Sequence, residues 1–224
     1  MRLAFPRLDL KSFLLWLAAA SALISLASAT SLRPLNLQDL VQHSSRIFQG
    51  ICLSQHQGVD ERGLPYTAYT FRVEEVWAGE AGPETLTIRQ FGLSAEAPVE
   101  AERNQIRIAA MPHYQPGQRY LLFLPQDSRW GFASPVGLLQ GAFHVLGEGG
   151  QRVAVNGVGN LNLTLDTAKT PSQRLRNLSP RAVGRALQGP VTYESLRQVV
   201  QRLASGEEMA ASEMARALRP GGRR

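Results

Sequence analysis

The feature that most constrains the fold of this chain is a series of short apolar segments separated by glycine-rich turns. Within residues 66–77, the odd-numbered residues from 69 to 73 are apolar and alternate with polar neighbours, which is the period of a half-buried β-strand. Glu75 interrupts this apolar face, and one extra residue near Glu74-Glu75, a β-bulge, restores the alternation. These residues therefore predict a bulged strand.

Six further segments have the length and composition of strands. Residues 119–124 (RYLLFL) are apolar on both sides, which is typical of a central strand covered on both faces. The others lie at residues 46–54, 84–91, 130–133, 142–146 and 152–155. A polar loop is predicted at 55–65. Several short strands with frequent glycine turns predict a mainly β fold, a barrel or a sandwich.

Helices are predicted at both ends of the strand region. Asn36 precedes a short amphipathic pattern and has Asp39 three residues later, which is typical of an N-cap. Thr192 is placed to cap a second helix with one apolar stripe. The stripe consists of Leu196, Val199, Val200 and Leu203. Ser205 and Glu208 predict a capping box for a third, weaker helix.

Residues 1–29 have the order of a secretory signal peptide. Three basic residues precede a 15-residue apolar run at 12–26, and Ala27-Ser28-Ala29 supplies the small residues that a signal peptidase reads. The run is shorter than the roughly 20 residues of a spanning helix. We predict cleavage before Thr30 and an extracytoplasmic protein, periplasmic or secreted, with no transmembrane span after cleavage. Retention of the segment as an N-terminal anchor is the alternative.

The rest of the chain divides by pattern and by charge. We predict a β-barrel domain at 30–155, an extended arm or linker at 156–190 and a basic helical segment at 191–224. Ten basic and thirteen acidic residues give 30–168 a charge of −3, whereas eleven basic and four acidic residues give 169–224 a charge of +7. Three roles for the basic segment stay open: a solvated arm, docking on the acidic barrel, or contact with an anionic surface such as lipid headgroups.

The net charge of +6 favours an anionic polymer as partner, but two observations argue against nucleic acid. An exported protein rarely meets DNA. The sequence also lacks zinc-finger spacing, a clear helix-turn-helix pattern and interleaved basic and aromatic residues. We therefore predict no nucleic-acid partner.

No residue is assigned a catalytic, cofactor-binding or metal-binding role. The histidines, His43, His56, His113 and His144, lack metal-ligand spacing, and the sequence has no GxSxG, P-loop, HExxH or GxGxxG motif. Cys52, flanked by Ile51 and Leu53, is predicted to be a structural strand thiol, with a nucleophile or an interchain disulfide as alternatives. Glu74 and Glu75 are interpreted as solvated residues beside a bulge, because adjacent strand residues point to opposite faces unless the bulge realigns them.

Three stretches resemble a family of uncharacterised exported bacterial proteins. They are residues 69–79 (YTFRVEEVWAG), 111–124 (MPHYQPGQRYLLFL) and 135–145 (PVGLLQGAFHV). The order of a strand, xVxxVWxG, a strand and PGxRYLLFL is also similar to netrin-like domains, the OB-type barrel of tissue inhibitors of metalloproteases. The resemblance spans about residues 40–146. It implies a small OB/netrin-like barrel, closed or partly open, with a short N-terminal helix and one or two C-terminal helices.

The resemblance does not carry an inhibitory mechanism to this chain. Those inhibitors chelate the protease zinc with an N-terminal cysteine and its free amine, whereas the predicted terminus here is Thr30 and Cys52 lies inside a strand. We expect an exported, non-enzymatic module that binds a protein or a cell-envelope component and has no cofactor. The alternatives are an accessory protein or inhibitor of an exported protease, acting through barrel loops, and an enzyme in which His113, His144 and an acid converge in one pocket.

Overall fold

The structure is a computed structural model, and it describes residues 33–80, 82–93, 106, 108, 110–165 and 189–219. Contacts divide the chain into Met1–Arg33 and Pro34–Arg224, and every element below belongs to the second unit. The predicted signal peptide at 1–29, residues 166–188 of the predicted arm and the tail from 220 onward lie outside the described residues.

The described residues form strands and a few α-helices. The strands are β1 (Arg46–Val59), β2 (Pro65–Ala78), β3 (Thr85–Phe91), β4 (Arg119–Leu124), β5 (Ala142–Leu146), β6 (Val153–Asn156) and β7 (Val191–Thr192). The helices are α1 (Leu37–Gln42), α2 (Tyr193–Ala204) and α3 (Ala211–Ala217). The predicted mainly β fold is confirmed.

The seven strands form one antiparallel sheet in the order β3-β2-β1-β4-β5-β6-β7. The predicted strands at 84–91, 119–124, 142–146 and 152–155 correspond to β3, β4, β5 and β6 within one residue at each end. Within the described part of the chain, β3 and β7 are the edges of this order, so strand pairing does not close the sheet.

The predicted bulge in β2 is confirmed. Gln49 of β1 pairs with Glu75 and the next residue, Gly50, pairs with Val73, which leaves Glu74 as the extra residue. Glycine is required at position 50, because a Cβ there would lie 2.6 Å from the carbonyl oxygen of Arg72. The bulge thus depends on a glycine in the partner strand β1 as well as on the alternation of residues within β2.

The hairpin between β1 and β2 is longer than the sequence indicated. β1 continues to Val59, and its residues 55–59 pair with Pro65–Tyr69 of β2, so the first half of the predicted polar loop at 55–65 is wrong. Asp60 fixes the short turn that remains, because its Oδ1 accepts the N–H groups of Arg62 and Leu64, each at 2.9 Å. Cross-strand pairing satisfies the backbone whatever the side-chain polarity, so polar composition alone did not reveal it.

The predicted strand at 130–133 is also wrong. These residues form a turn, in which Ser128 N–H donates to Phe132 O at 2.9 Å and Gly131 N–H donates to Ser128 O at 2.8 Å. Gly131 has a φ of +73°, a left-handed conformation that glycine adopts readily. The segment reaches β3 through one bond from the Ala133 N–H to Arg89 O at 2.9 Å and through the Phe132 ring, whose centre lies 5.7 Å from that of Phe91.

Helices α1 and α2 begin where the sequence predicts. Asp39 N–H donates to Asn36 Oδ1 at 2.7 Å and Asn36 N–H donates to Asp39 Oδ2 at 3.0 Å, a reciprocal capping box. Helix α2 follows Thr192, and its predicted apolar stripe is buried. Thr192 occupies the N-cap position, but its hydroxyl bonds the Ser195 hydroxyl at 2.7 Å instead of a backbone N–H.

The predicted capping box of Ser205 and Glu208 is wrong, and α3 begins later, at Ala211. The Ser205 hydroxyl donates to Arg202 O at 2.8 Å, so it closes the C-terminal end of α2 instead of opening a new helix. Gly206, with a φ of +90°, then stops the helix.

Residues 157–165, the described part of the predicted arm, form turns rather than an extended segment. Asn160 is fully buried, and its Nδ2 donates to the carbonyl groups of Ala154 at 2.9 Å and Gly189 at 2.8 Å. Leu163 is also buried and belongs to the core. A single buried amide therefore organises a stretch that has no period in sequence.

The sheet carries a buried apolar layer on each side, as the double-sided pattern of β4 predicts. The helix-covered face joins β1, β4, β5 and β6 to all three helices; from β4 it takes Leu121 and Phe123. The aromatic face lies on the opposite side and takes Tyr120, Leu122 and Leu124. The other members of the aromatic face are Phe48, Cys52, Tyr69, Phe71, Ile88, Tyr114 and Ala142. None of the described helices is long and apolar enough to span a membrane.

Candidate functional site

A depression of about 550 Å³ lies over β2 and β3. Its floor includes Tyr66 and Ala68 of β2 and Thr87 and Arg89 of β3. These residues alternate with Tyr69 and Ile88 of the aromatic face, so they point to the other side of the sheet. The depression is thus the outer surface of the β2–β3 hairpin, on a part of the sheet that reaches solvent.

Two connections raise the walls of this depression. The turn between β1 and β2 contributes Asp60, Glu61 and Arg62, and the connection between β4 and β5 contributes Trp130. Trp130 is 46% exposed, and the Arg129 guanidinium lies 4.6 Å from the centre of its ring. A large aromatic ring held at the rim of a concave surface is available for ligand contact.

Arg89 is the cationic centre of the depression. Its guanidinium carbon lies 4.1 Å from the centre of the Tyr66 ring and 5.4 Å from that of Phe132, so cation–π contacts hold the side chain in place. Its Nε is buried and has no hydrogen-bond partner among the described residues. The depression therefore holds a positioned cation with donor capacity left over.

Asp60 is not a free acid of this site. The backbone N–H of Leu64 lowers the pKa of its carboxyl group, and the N–H and charge of Arg62 lower it further. These bonds belong to the β1–β2 turn. The carboxylate therefore fixes the wall of the depression rather than supplying acid–base chemistry.

Sequence reasoning did not identify any residue of this depression as a site residue. The sequence pattern predicts a strand at Trp130, and this prediction concealed its position in a turn. Its neighbours Asp127, Ser128 and Gly131 are turn-forming residues, and a tryptophan in such a turn is the signal that could have revealed it.

His113 and His144 line a second, much smaller cleft of about 50 Å³ together with Tyr114 and Tyr120. Nδ1 of His113 lies 3.4 Å from the hydroxyl oxygen of Tyr69. The His144 ring centre lies 4.6 Å from that of Tyr120, and burial lowers the pKa of His144.

The structure thus brings together the two histidines that an enzyme would need. None of the described residues that line this cleft is a carboxylate, so these residues do not supply the third group that the enzyme alternative requires. No set of three His, Cys, Asp or Glu side chains in the described part of the chain can hold a metal ion.

Cys52 lies on the aromatic face and is fully buried, as expected of a structural strand thiol. Burial raises the pKa of its thiol to about 11, so the thiol is protonated at neutral pH. Neither a nucleophile nor an interchain disulfide fits these surroundings.

Glu74 is exposed, as predicted, whereas Glu75 is partly buried, and the bulge brings the two side chains into one network instead of separating them on opposite faces. Glu74 Oε2 accepts Arg119 Nε at 2.7 Å and also contacts Gln49 Nε2. Glu75 Oε2 accepts the Tyr193 hydroxyl at 2.6 Å. Both carboxylates therefore join one network with Gln49, which is 1% exposed and whose Oε1 also contacts the Tyr193 hydroxyl.

The contacts within this network keep each group in one protonation state and bring no pKa close to neutrality. The hydrogen bond from Arg119 holds the pKa of Glu74 below its ordinary value. Burial alone would raise the pKa of Glu75, but bonds from Tyr193 and Arg197 bring it below its ordinary value. Burial raises the pKa of the Tyr193 phenol, and its bond to Glu75 raises it further. The groups stay ionised or protonated near pH 7, so the network ties α2 to the sheet and is not poised for proton transfer.

The described part of the basic segment lies against the sheet. β7 pairs with β6, and Arg197 Nη1 donates to Glu75 Oε1 at 3.1 Å, the type of contact that docking on the acidic barrel requires. Arg202 is occupied within the segment, where it pairs with Glu207 and with Glu213 at 2.8 Å.

No protein-family model matches this chain, and no curated protein is significantly similar to it. The choice among the candidate sites therefore depends on geometry. The depression over β2 and β3 is concave, exposed and chemically mixed, whereas the histidine cleft is too small for more than a water-sized ligand.

Proposed function

We propose that this protein is an exported, non-enzymatic binding module, and that its ligand, a protein or a cell-envelope component, occupies the depression over β2 and β3. The observation that carries this proposal is the lining of that depression. Trp130 and Tyr66 offer aromatic surfaces, and Arg62 and Arg89 offer positive charge, within one concave surface of about 550 Å³ that the carboxylates of Asp60 and Glu61 also line. Such a lining suits a ligand that combines a flat apolar ring or side chain with a polar or hydroxylated group.

The resemblance to OB/netrin-like barrels supports the same site. The order β3-β2-β1-β4-β5, which β6 and β7 extend beyond β5, is the order that an OB-type barrel opened between β3 and β5 would have, and it supports this part of the proposal. OB folds bind their ligands on the face of strands 2 and 3, between the loop joining strands 1 and 2 and the loop joining strands 4 and 5. The depression lies on the corresponding face between the corresponding loops.

Export of the protein is part of the proposal and has its own test. If residues 1–29 form a cleaved signal peptide, the intact mass of the exported protein corresponds to a chain that begins at Thr30. A mass that retains Met1 would assign the protein to the membrane-anchored class instead.

Co-sedimentation tests the site. The exported protein is mixed with isolated envelope of the producing cells, as sacculi and as membranes in separate tubes, and the bound fraction is measured against protein concentration. We expect saturable binding that Trp130→Ala and Arg62→Ala each weaken at least fivefold, about 1 kcal/mol. Leu146→Ala is the control, because Leu146 is 45% exposed but lies on β5 outside the depression. Binding that none of the variants changes, or no binding in either tube, would refute the site.

A further inference from the structure

Among the described residues, no strand lies beside β3 on the side away from β2, and β3 is therefore an edge of the sheet. The β2–β3 ladder ends with Gly92 N–H bonded to Pro65 O at 2.9 Å and with Val73 N–H bonded to Glu84 O at 2.7 Å. Because hydrogen-bonded pairs alternate along an antiparallel ladder, the even-numbered residues of β3 bond to β2. The odd-numbered residues, from Thr85 to Phe91, therefore direct their N–H and C=O groups away from the sheet.

The described residues cover only part of this edge, and just beyond β3 the Leu93 N–H donates to Ile106 O at 3.0 Å. Arg89 O accepts the N–H of Ala133 at 2.9 Å, but the outward groups of Thr85 and Thr87 have no backbone partner among the described residues. Proteins protect such edges with proline, lysine, bulges or inward-pointing charges. Residues 85–88 (TLTI) contain none of these charges and no proline, and the register of β3 with β2 is continuous. An unprotected edge of this kind is a template for another strand.

A groove of about 660 Å³ adjoins this edge. One side is formed by Leu86, Thr87 and Ile88 of β3, and the other by Leu124 and the residues after it up to Asp127. A second copy of the chain would have to bring its own sheet behind its edge strand, beside the wall formed by Leu124 and the residues after it. A single extended peptide has no such sheet and fits between two walls.

The walls also indicate which side chains such a peptide carries. Leu86 is the partly exposed apolar residue of the groove, beside Ile88 and Leu124, which are each 4% exposed, so we expect apolar side chains on that face of the added strand. Glu80 and Asp127 line the groove opposite the single cation Arg46, so a basic residue at a polar position is favoured.

We propose that β3 recruits an extended segment of a partner protein as an additional strand, in the groove beside residues 85–88, and that this segment alternates apolar and polar residues and includes a basic one. Recognition of this type takes affinity from main-chain hydrogen bonds and selectivity from alternate side chains. The two surfaces share Thr87, which lines both the depression and the groove, so the test has to separate loss of the Thr87 side chain from loss of its edge N–H.

The test uses a defined probe, the blocked and fluorescein-labelled hexapeptide VTVRVT, and measures fluorescence anisotropy with the full exported chain. We expect saturable binding, with a loss of about tenfold or more for Thr87→Pro, which removes one outward N–H without touching the β2–β3 ladder. Thr87→Val is the matched control. It removes the hydroxyl that contacts the Thr70 hydroxyl at 3.0 Å but keeps the edge N–H, and we expect binding within about threefold of wild type. A peptide with N-methyl groups on alternate residues should bind the wild-type protein about as weakly as the unmodified peptide binds Thr87→Pro.

Three results would overturn the proposal. The first is no saturable binding by the wild-type protein, or equal binding by Thr87→Pro. The second is slow hydrogen exchange at the Thr87 amide of the free monomer, which would mean that the chain covers its own edge. The third is a dimer in sedimentation that Thr87→Pro dissociates, which would make a second copy the occupant. If Thr87→Pro does not fold, Thr85→Pro at the first position of β3 replaces it in each comparison.

Discussion

The two ends of the sheet differ in what covers them. The helix-covered face of β1, β4, β5 and β6 is sealed by α1, α2 and α3, and its members include Leu121, Phe143 and Leu196, each fully buried. The β2–β3 end, residues 65–72 and 85–91, has an aromatic layer on one side and, in the described part of the chain, no helix on the other. The depression and the free edge both lie at this end. We infer that the helix-covered part of the sheet supplies stability and that the β2–β3 end supplies binding.

The largest expected effect is a difference in the free energy of unfolding between alanine variants of two leucines. Leu196 of α2 is fully buried in the helix-covered face, whereas Leu86 of β3 is only partly buried against the aromatic face. We expect Leu196→Ala to lower the free energy of unfolding by about 3 kcal/mol, because it leaves a cavity. Leu86→Ala should cost about 1 kcal/mol, because less apolar surface is lost and solvent fills the space. Urea unfolding measures both, and equal losses would remove the proposed difference between the two ends.

The next effect concerns the bond between α2 and the bulge. Tyr193→Phe removes the hydroxyl that donates to Glu75 at 2.6 Å and leaves Gln49, which is buried, with one partner fewer. We expect a loss of about 1–3 kcal/mol in the free energy of unfolding. Tyr66→Phe is the control at the open end, because no hydrogen bond of the Tyr66 hydroxyl occurs among the described residues, and it should change stability by less than about 0.5 kcal/mol. A similar cost for both variants would contradict the role given to the network.

The same contrast explains which features could be predicted from sequence. The strands, the bulge and the start of α1 follow from alternation and from capping residues, which act over a few neighbours. Glu74 and Glu75 show the limit: the sequence indicates the extra residue, but not that Gln49, Tyr193 and Arg119 converge on it from three other elements. Only folding of the chain brings those partners together.

The candidate site was missed for a related reason. Arg89 and Trp130 lie 41 positions apart in the chain and come together because the β4–β5 connection folds over the hairpin. Neither residue has a local pattern that indicates binding. Similarly, His113 and His144 meet in one cleft although nothing in their spacing indicates it.

Acid should weaken the attachment of α2 through the bulge. Glu74 and Glu75 have pKa values below the ordinary 4.5 in the folded protein, through bonds from Arg119 and from Tyr193 and Arg197. A carboxylate that is more acidic when folded stabilises the protein above its unfolded pKa, and this contribution is lost as the pH falls through the folded pKa. We therefore expect the free energy of unfolding to fall as the pH drops below about 4.5.

Two variants assign that pH dependence to the network. Glu75→Gln should flatten the fall in urea unfolding measured between about pH 7 and pH 3, because it removes one titrating group. Glu208→Gln changes an exposed glutamate outside the network and should leave the profile as in wild type. A profile that Glu75→Gln does not alter would show that other carboxylates control acid unfolding.

The smallest effect on stability is also the most specific test of the comparison. Trp130 is 46% exposed on a turn whose contacts with β3 include those of Phe132 and Ala133, and Trp130 belongs to neither apolar layer, so removing its ring leaves no cavity there. We expect Trp130→Ala to change the free energy of unfolding by less than about 0.5 kcal/mol, while it weakens envelope binding at least fivefold. Leu146→Ala, equally exposed on β5, should change neither quantity. If Trp130→Ala instead destabilised the protein in proportion to its loss of binding, the ring would be part of the fold, and binding would depend on the whole hairpin and not on its outer surface.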